Sequence, residues 1–207
     1  MSPTREKILD KALALFNENG LASVSQRNIT EALGISPGNL TYHFKKKEDI
    51  VQGLYDRLVI RFSEVFDGIT KSPPSINGML SLSETVFQLV WEYQFFFIDY
   101  VFLMRSYPAI CTHYSHLMKK REEQFLASVE YLKNEGVLRP ERLPKQYNRL
   151  FFQLRLITDF FLSAQLNQDD QQRLSQEYLD QVIYLIYPYL TEKGEKELSQ
   201  SGYQSLS

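Results

Sequence analysis

Apolar positions recur at helical spacing along almost the whole chain. Ile8, Ala12, Leu15 and Phe16 line one face of a segment from Thr4 to Asn19, and Gly20 stops it. Ser25 then offers an N-cap hydroxyl, Ile29 and Leu33 fall four residues apart, and Gly34 follows where a left-handed residue is tolerated. Ile35 returns to the core, Ser36 caps again, Pro37 opens a second short helix, and Leu40 and Phe44 are its buried pair. Ser25 to Lys47 is therefore expected to form a helix-turn-helix, a unit that lays its second helix in the DNA major groove. A longer helix starts at Lys47–Asp49 and buries Ile50, Leu54, Leu58 and Phe62.

The stretch from Lys71 to Gly78, KSPPSING, is the clearest break and is expected to be a loop within a continuous helical body. Further helices are predicted over Leu80 to Tyr93, through the aromatic segment from Phe95 to Tyr107, and from Ala109 to Asn134, which contains the charged run KKREE. After a loop with two prolines, Gln146 to Leu166 and Gln171 to Leu190 carry apolar residues on more than one side, including Phe151, Phe152, Leu162, Tyr184, Leu185 and Tyr187. A helix apolar on two sides is buried on two sides, and a subunit interface supplies the second. The tail from Thr191 is polar and expected to fray. The chain is expected to be all-α with about nine helices, dividing into residues 1–62, a DNA-binding unit, and 63–207, a helical ligand-binding and dimerisation body.

Composition narrows the setting. Hydrophobic content of 43% with 14% aromatics points to a folded globular protein, and the one cysteine, Cys111, excludes an internal disulfide. No apolar stretch resembles a signal peptide or a membrane span, so a soluble cytoplasmic protein is expected. Residues 1–50 hold seven Lys/Arg against six Asp/Glu, a net +1, while the whole chain is −2. DNA affinity must then come from where charges stand rather than from their sum.

Advancing 100° per residue from Leu40 places Tyr42, Asn39 and Pro37 toward base edges, and Gly38 permits close approach. His43 and the lysines Lys45, Lys46 and Lys47 suit phosphates, and Gln26, Arg27 and Asn28 suit the flanking backbone. The plainer alternative is a solvated charged face beside an exposed aromatic. In the body, Phe87, Trp91, Phe95, Phe96, Tyr100, Met104, Tyr107, Phe152, Phe160 and Asp159 are candidates for an apolar effector pocket, against the alternative of ordinary core. Cys111, His113 and His116 have ligand-like spacing, but no second cluster completes a tetrahedral site, so neither a metal nor a cofactor is expected. There is no nucleophile motif, phosphate loop or paired acid with a positioned base, and no enzymatic activity is expected.

The first 65 or so residues resemble the TetR family of bacterial transcriptional regulators. The resemblance rests on Ala12, Phe16, Gly20, Ser25, Ile29, Ala32, Gly34 to Ser36, Gly38, Leu40, His43, Phe44, Lys47 and Ile50. It implies a homodimer, formed through the last two long helices, that binds a palindromic operator in double-stranded DNA as a repressor and is released by a small apolar or aromatic molecule. Two positions depart from the family pattern. Thr41 stands where a tyrosine usually follows the leucine, and reaches a phosphate less far; Thr30 stands in place of an alanine. Two other readings remain: a ligand-independent DNA-binding factor, and a helical small-molecule-binding protein or enzyme whose helix-turn-helix makes protein contacts.

Overall fold

The structure, a computed structural model, describes residues 3–69, 72–166 and 170–203. Lys71, the first residue of the expected break, lies outside these, as do Met1, Ser2 and residues 204–207 of the tail. Three helices form the N-terminal unit: α1 (Pro3–Asn19), α2 (Gln26–Leu33) and α3 (Pro37–His43). Helix α4 (Lys47–Ile69) leads into the body of α5 (Ile76–Glu92), α6 (Gln94–Ile98), α7 (Tyr100–Ser106), α8 (Pro108–Asn134), α9 (Gln146–Phe160), α10 (Gln171–Ile186) and α11 (Glu192–Gln200).

The described residues thus hold eleven α-helices where about nine are expected. Two physical effects account for the difference. The aromatic segment breaks at Asp99 into α6 and α7, where the backbone leaves helical geometry at φ −91° and ψ 17° and the carboxylate accepts the backbone N–H of Leu21 at 3.1 Å. The polar tail does not fray over its first turns. Thr191 caps α11, accepting from Gly194 N at 3.2 Å, and Leu138 and Leu190 pair in an isolated antiparallel bridge that holds the tail to the loop after α8. The two last long helices are also shorter than their apolar pattern. A 3-10 turn over Leu162–Gln165 follows α9, and another over Tyr187–Tyr189 follows α10, where Pro188 brings no N–H to continue the ladder. Helix α5 starts earlier than its apolar pattern, at a Ser75 cap.

The short helices of the N-terminal unit have the ends expected of them. Ser25 and Asn28 form a reciprocal capping box, with Ser25 N donating to Asn28 Oδ1 at 2.8 Å and Asn28 N donating to Ser25 Oγ at 3.2 Å. Gly34 adopts φ +65°, which only a residue without a Cβ holds at no cost, and Ser36 caps α3 with Pro37 in its first turn. Ile8, Phe16, Ile29, Leu40, Phe44, Ile50, Val51 and Leu54 close one core beneath them.

This unit meets the body along two routes. One is α4 itself, which packs on α1 and α5. The other is a polar clamp between α1 and the α5–α6 corner. Asn17 Nδ2 donates to Glu92 O at 2.8 Å, its Oδ1 accepts from Phe95 N at 3.1 Å, and the Arg57 guanidinium bridges Asp10 at 2.6 Å to the Tyr93 hydroxyl at 3.1 Å. A boundary at residue 62 falls inside the continuous helix α4.

A Cβ added at Gly194 would lie 2.4 Å from the carbonyl oxygen of Val137, a backbone atom that cannot yield, whereas one at Gly68 would meet nothing within 4 Å. Gly194→Ala is expected to lose about 1–3 kcal/mol through overpacking and to raise amide exchange across α11. Gly68→Ala, in a helix, is expected to gain about 0.5–1 kcal/mol. Chemical denaturation with hydrogen exchange checks both.

Candidate functional site

Helix α3 presents an open face. Pro37, Gly38, Asn39, Thr41 and Tyr42 are exposed, and Tyr42 is 85% exposed at the far side from Leu40, which is buried. Its ring stands edge-on to His43, with centroids 5.0 Å apart, and His43 is half-buried. The Thr41 hydroxyl is turned back onto the Pro37 carbonyl at 2.8 Å. Lys45 and Lys46 are exposed beside it.

Four of the expected DNA-contacting side chains are held by the protein itself. The Lys47 ammonium donates to the Leu21 carbonyl and lies 5.6 Å from the centre of the Phe16 ring. Burial lowers its pKa, with Glu48 and Asp99 opposing. Lys47 therefore closes the turn after α1 rather than projecting with its two neighbours, a tertiary effect that a run of three lysines conceals. Gln26 donates to the Phe44 carbonyl at 3.2 Å, Asn28 is committed to the capping box, and Arg27 pairs with Glu31 at 2.7 Å while remaining exposed.

In the body, a cavity of about 950 Å³ lies between α4, α5, α8, α9 and α10. Of the pocket residues expected from the sequence, Asp159 and Phe96 line it. The others stand elsewhere. Phe87 packs among Trp91, Phe161 and Tyr178, and Trp91 borders a shallow polar surface recess beside Arg57 and Arg61. Phe95 lies against Phe16 at 5.4 Å, tying α6 to α1. Tyr100 sits edge-on to Tyr114 and Phe160 and interacts with the cavity residue Asp159; Met104 and Tyr107 are half-buried against the core. Phe152 and Phe160 are exposed on α9. On α5 the reason is register: Met79, Leu82 and Val86 form its cavity face, and Phe87 and Trp91 lie about 100° and about 150° round the helix from it.

The sequence reading passed over Arg121 and Tyr114. Arg121 belongs to the charged run KKREE, yet it is only 4% exposed and lines the cavity. The signal was its spacing, four residues before Phe125 and eight before Val129, on the apolar face of α8. Cys111 is half-buried, His116 is exposed, and His113 Nδ1 lies 2.8 Å from the Tyr55 hydroxyl, joining α8 to α4.

Asp159 is 1% exposed. It accepts from the Tyr114 hydroxyl and lies 3.7 Å from Arg155, while burial pushes its carboxyl from 3.8 up to about 6 against Tyr114, Arg155 and Tyr100. Below about pH 4 the folded and unfolded chains both hold this proton; as pH rises toward about 6 the unfolded chain releases it first, so stability falls, by roughly 3 kcal/mol in all. Asp159→Asn is expected to remove that part of the pH dependence. Urea denaturation of both proteins at about pH 4 and about pH 7 checks it.

Comparison with known proteins bears on the family of the chain. Residues 8–54 match the model of bacterial regulatory proteins of the tetR family, and residues 60–198 match the TetR bacterial transcriptional repressor model. The regulator UidR of Escherichia coli K12 is 36% identical over 89 residues, covering 41% of this chain and 45% of that protein. The repressor KstR2 of Mycobacterium tuberculosis H37Rv is 26% identical over 144 residues, 66% of this chain and 70% of its own. The match thus spans under half the length of UidR. A crystal structure of a TetR-family transcriptional regulator from Marinobacter aquaeolei VT8 superposes with a TM-score of 0.86 at 28% identity, covering 97% of this chain and 98% of that one. With its two family models matched in order along one helical chain, this protein belongs to the TetR family.

Proposed function

We propose that the protein is a homodimeric, sequence-specific DNA-binding repressor that leaves a palindromic operator when a small molecule enters its cavity. The observation that carries this reading is the open face of α3. A helix whose inner side is fully engaged by Leu40 leaves Pro37, Gly38, Asn39 and Tyr42 with no partner role in the fold. Asn39 can bond adenine, the Tyr42 ring and Pro37 can touch thymine methyls, and Lys45 and Lys46 stand where phosphates would lie. His43, Thr41, Arg27, Gln26 and Asn28 supply weaker backbone contacts, since each is half-buried or bonded within the unit, Arg27 to Glu31.

The dimer reading rests on α9 and α10. Phe152, Leu156 and Phe160 form an exposed stripe at four-residue spacing on α9, and Tyr184 and Tyr187 are exposed at the end of α10. Two such faces packed about a two-fold axis bury them in a four-helix contact. Tyr55, Leu58, Val59, Phe62 and Phe66 of α4 line the cavity, so an occupant presses directly on the helix that carries the N-terminal unit. Recognition helices of a dimer must stand about 34–36 Å apart, and an occupant that favours another spacing shifts the population away from DNA.

Tyr42→Ala is expected to leave stability within about 0.5 kcal/mol and to lower affinity for a selected operator by about 1–3 kcal/mol. Lys46→Ala should reduce the slope of log affinity against log salt by about 1, while Lys47→Ala should leave that slope alone and destabilise the fold. Gel shifts against DNA selected from a random pool, at several salt concentrations, test these outcomes; binding without salt dependence would exclude the DNA-binding reading. Leu156→Arg is expected to give a folded monomer by sedimentation equilibrium, with operator affinity lost.

A further inference from the structure

We propose that the cavity takes an amphipathic monoanion, an apolar body ending in a carboxylate, and that the Arg121 guanidinium seats the carboxylate. This rests on reading the cavity as an effector site and names the class of effector. Arg121 is a buried cation whose hydrogen-bond and ring partners are neutral: it donates to Gln124 Oε1 at 2.7 Å and to Ser63 Oγ at 3.2 Å, and it lies 4.1 Å from the centre of the Phe66 ring. Among the described residues no carboxylate approaches it within 4.0 Å, although it senses Asp67 at longer range. A guanidinium has five N–H donors, so this one keeps donors to spare, and a buried charge without a counter-ion is costly to hold.

The other charges in the wall do not supply that counter-ion. Arg155 stands 3.7 Å from its own acid, Asp159, which Tyr114 also engages, although the Arg155 Nε has no hydrogen-bond partner among the described residues. Glu64 lines the cavity as well, but it is exposed and keeps its hydration. With Arg155 and Asp159 offsetting one another, the buried wall has an excess of one positive charge, and it stands on Arg121. That excess selects a single negative charge and opposes a cation; a doubly charged phosphate head would find one guanidinium for two charges.

The rest of the lining sets the body of the ligand. Phe62, Leu82, Met118, Phe125, Leu154 and Ile186 give an apolar surround, and about 950 Å³ is far more than a short carboxylate fills. The head would lie beside Ser63 and Phe66, on α4 itself. Charge recognition and the helix leading to α3 therefore meet at one place.

Three probes of equal chain length separate the charge from the body: dodecanoate, dodecan-1-ol and dodecyltrimethylammonium, titrated calorimetrically into the full chain at neutral pH. Dodecanoate is expected to bind at least about tenfold tighter than the alcohol, and the ammonium weakest, as a charge-assisted pair in a buried wall implies. Arg121→Gln is expected to bring dodecanoate down to the affinity of the alcohol while leaving the alcohol unchanged, and Arg121→Lys to keep a preference for dodecanoate. Equal or tighter binding of the alcohol or the ammonium, a preference that survives Arg121→Gln, or no binding of any probe would overturn the proposal. If circular dichroism shows Arg121→Gln unfolded, the wild-type series and Arg121→Lys decide. None of these readouts uses DNA. Absent operator binding with an intact dodecanoate preference would sink the repressor reading alone, and operator binding without that preference would sink this one alone.

Discussion

One helix serves two cores, and most of the molecule follows from that. The first turns of α4 bury Ile50, Val51 and Leu54 on the side that packs on α1, and its later turns carry Leu58, Val59, Phe62 and Phe66 to the cavity wall. A helix of 23 residues, hydrogen-bonded throughout, transmits a push at one end as a displacement at the other. The N-terminal unit is too small to stabilise itself well, so it depends on this shared helix and on the Asn17, Asp99 and Arg57 bonds that hold α1 to the α5–α6 corner. Movement of α4 relative to α5 must strain or remake those bonds.

The cavity holds polarity that a core built for stability alone would lack. Asp159 is buried beside Tyr114 and Arg155, and burial raises its pKa even with those partners present. Arg121 is a cation satisfied by neutral groups. Both arrangements cost stability in the absence of an occupant, and such costs concentrate where a ligand offsets them. In the rest of the body the aromatic residues do ordinary packing work: Phe87, Phe161 and Tyr178 interlock, and Phe95 anchors on Phe16.

The helix-turn-helix was legible in the sequence because its determinants are local. Ser25, Gly34, Ser36 and Pro37 act within a few residues of where they stand, and Leu40 and Phe44 need only helical spacing to mark the buried side. The same locality explains why Tyr42 and Asn39 could be placed on the open face. The place of Lys47 is not local, since the Leu21 carbonyl that it caps is 26 residues away and nothing nearby in the sequence marks it. Nor is that of the tail, because α11 is held by Thr191 and by a bridge to Leu138 across the fold.

By itself the sequence determined an all-helical chain, an N-terminal helix-turn-helix with Asn39 and Tyr42 on its open face, and two late helices with apolar residues on more than one side. These depend on period, capping and composition, which are properties of short windows. Only the tertiary structure decided which aromatic residues border the cavity and which fill the core, because a rotation of about 100° on α5 separates Val86 from Phe87. It alone decided that Arg121, written into a run of surface-like charges, faces inward among neutral partners. A side chain's neighbours across helices are set by how those helices pack, and no window of sequence contains that information.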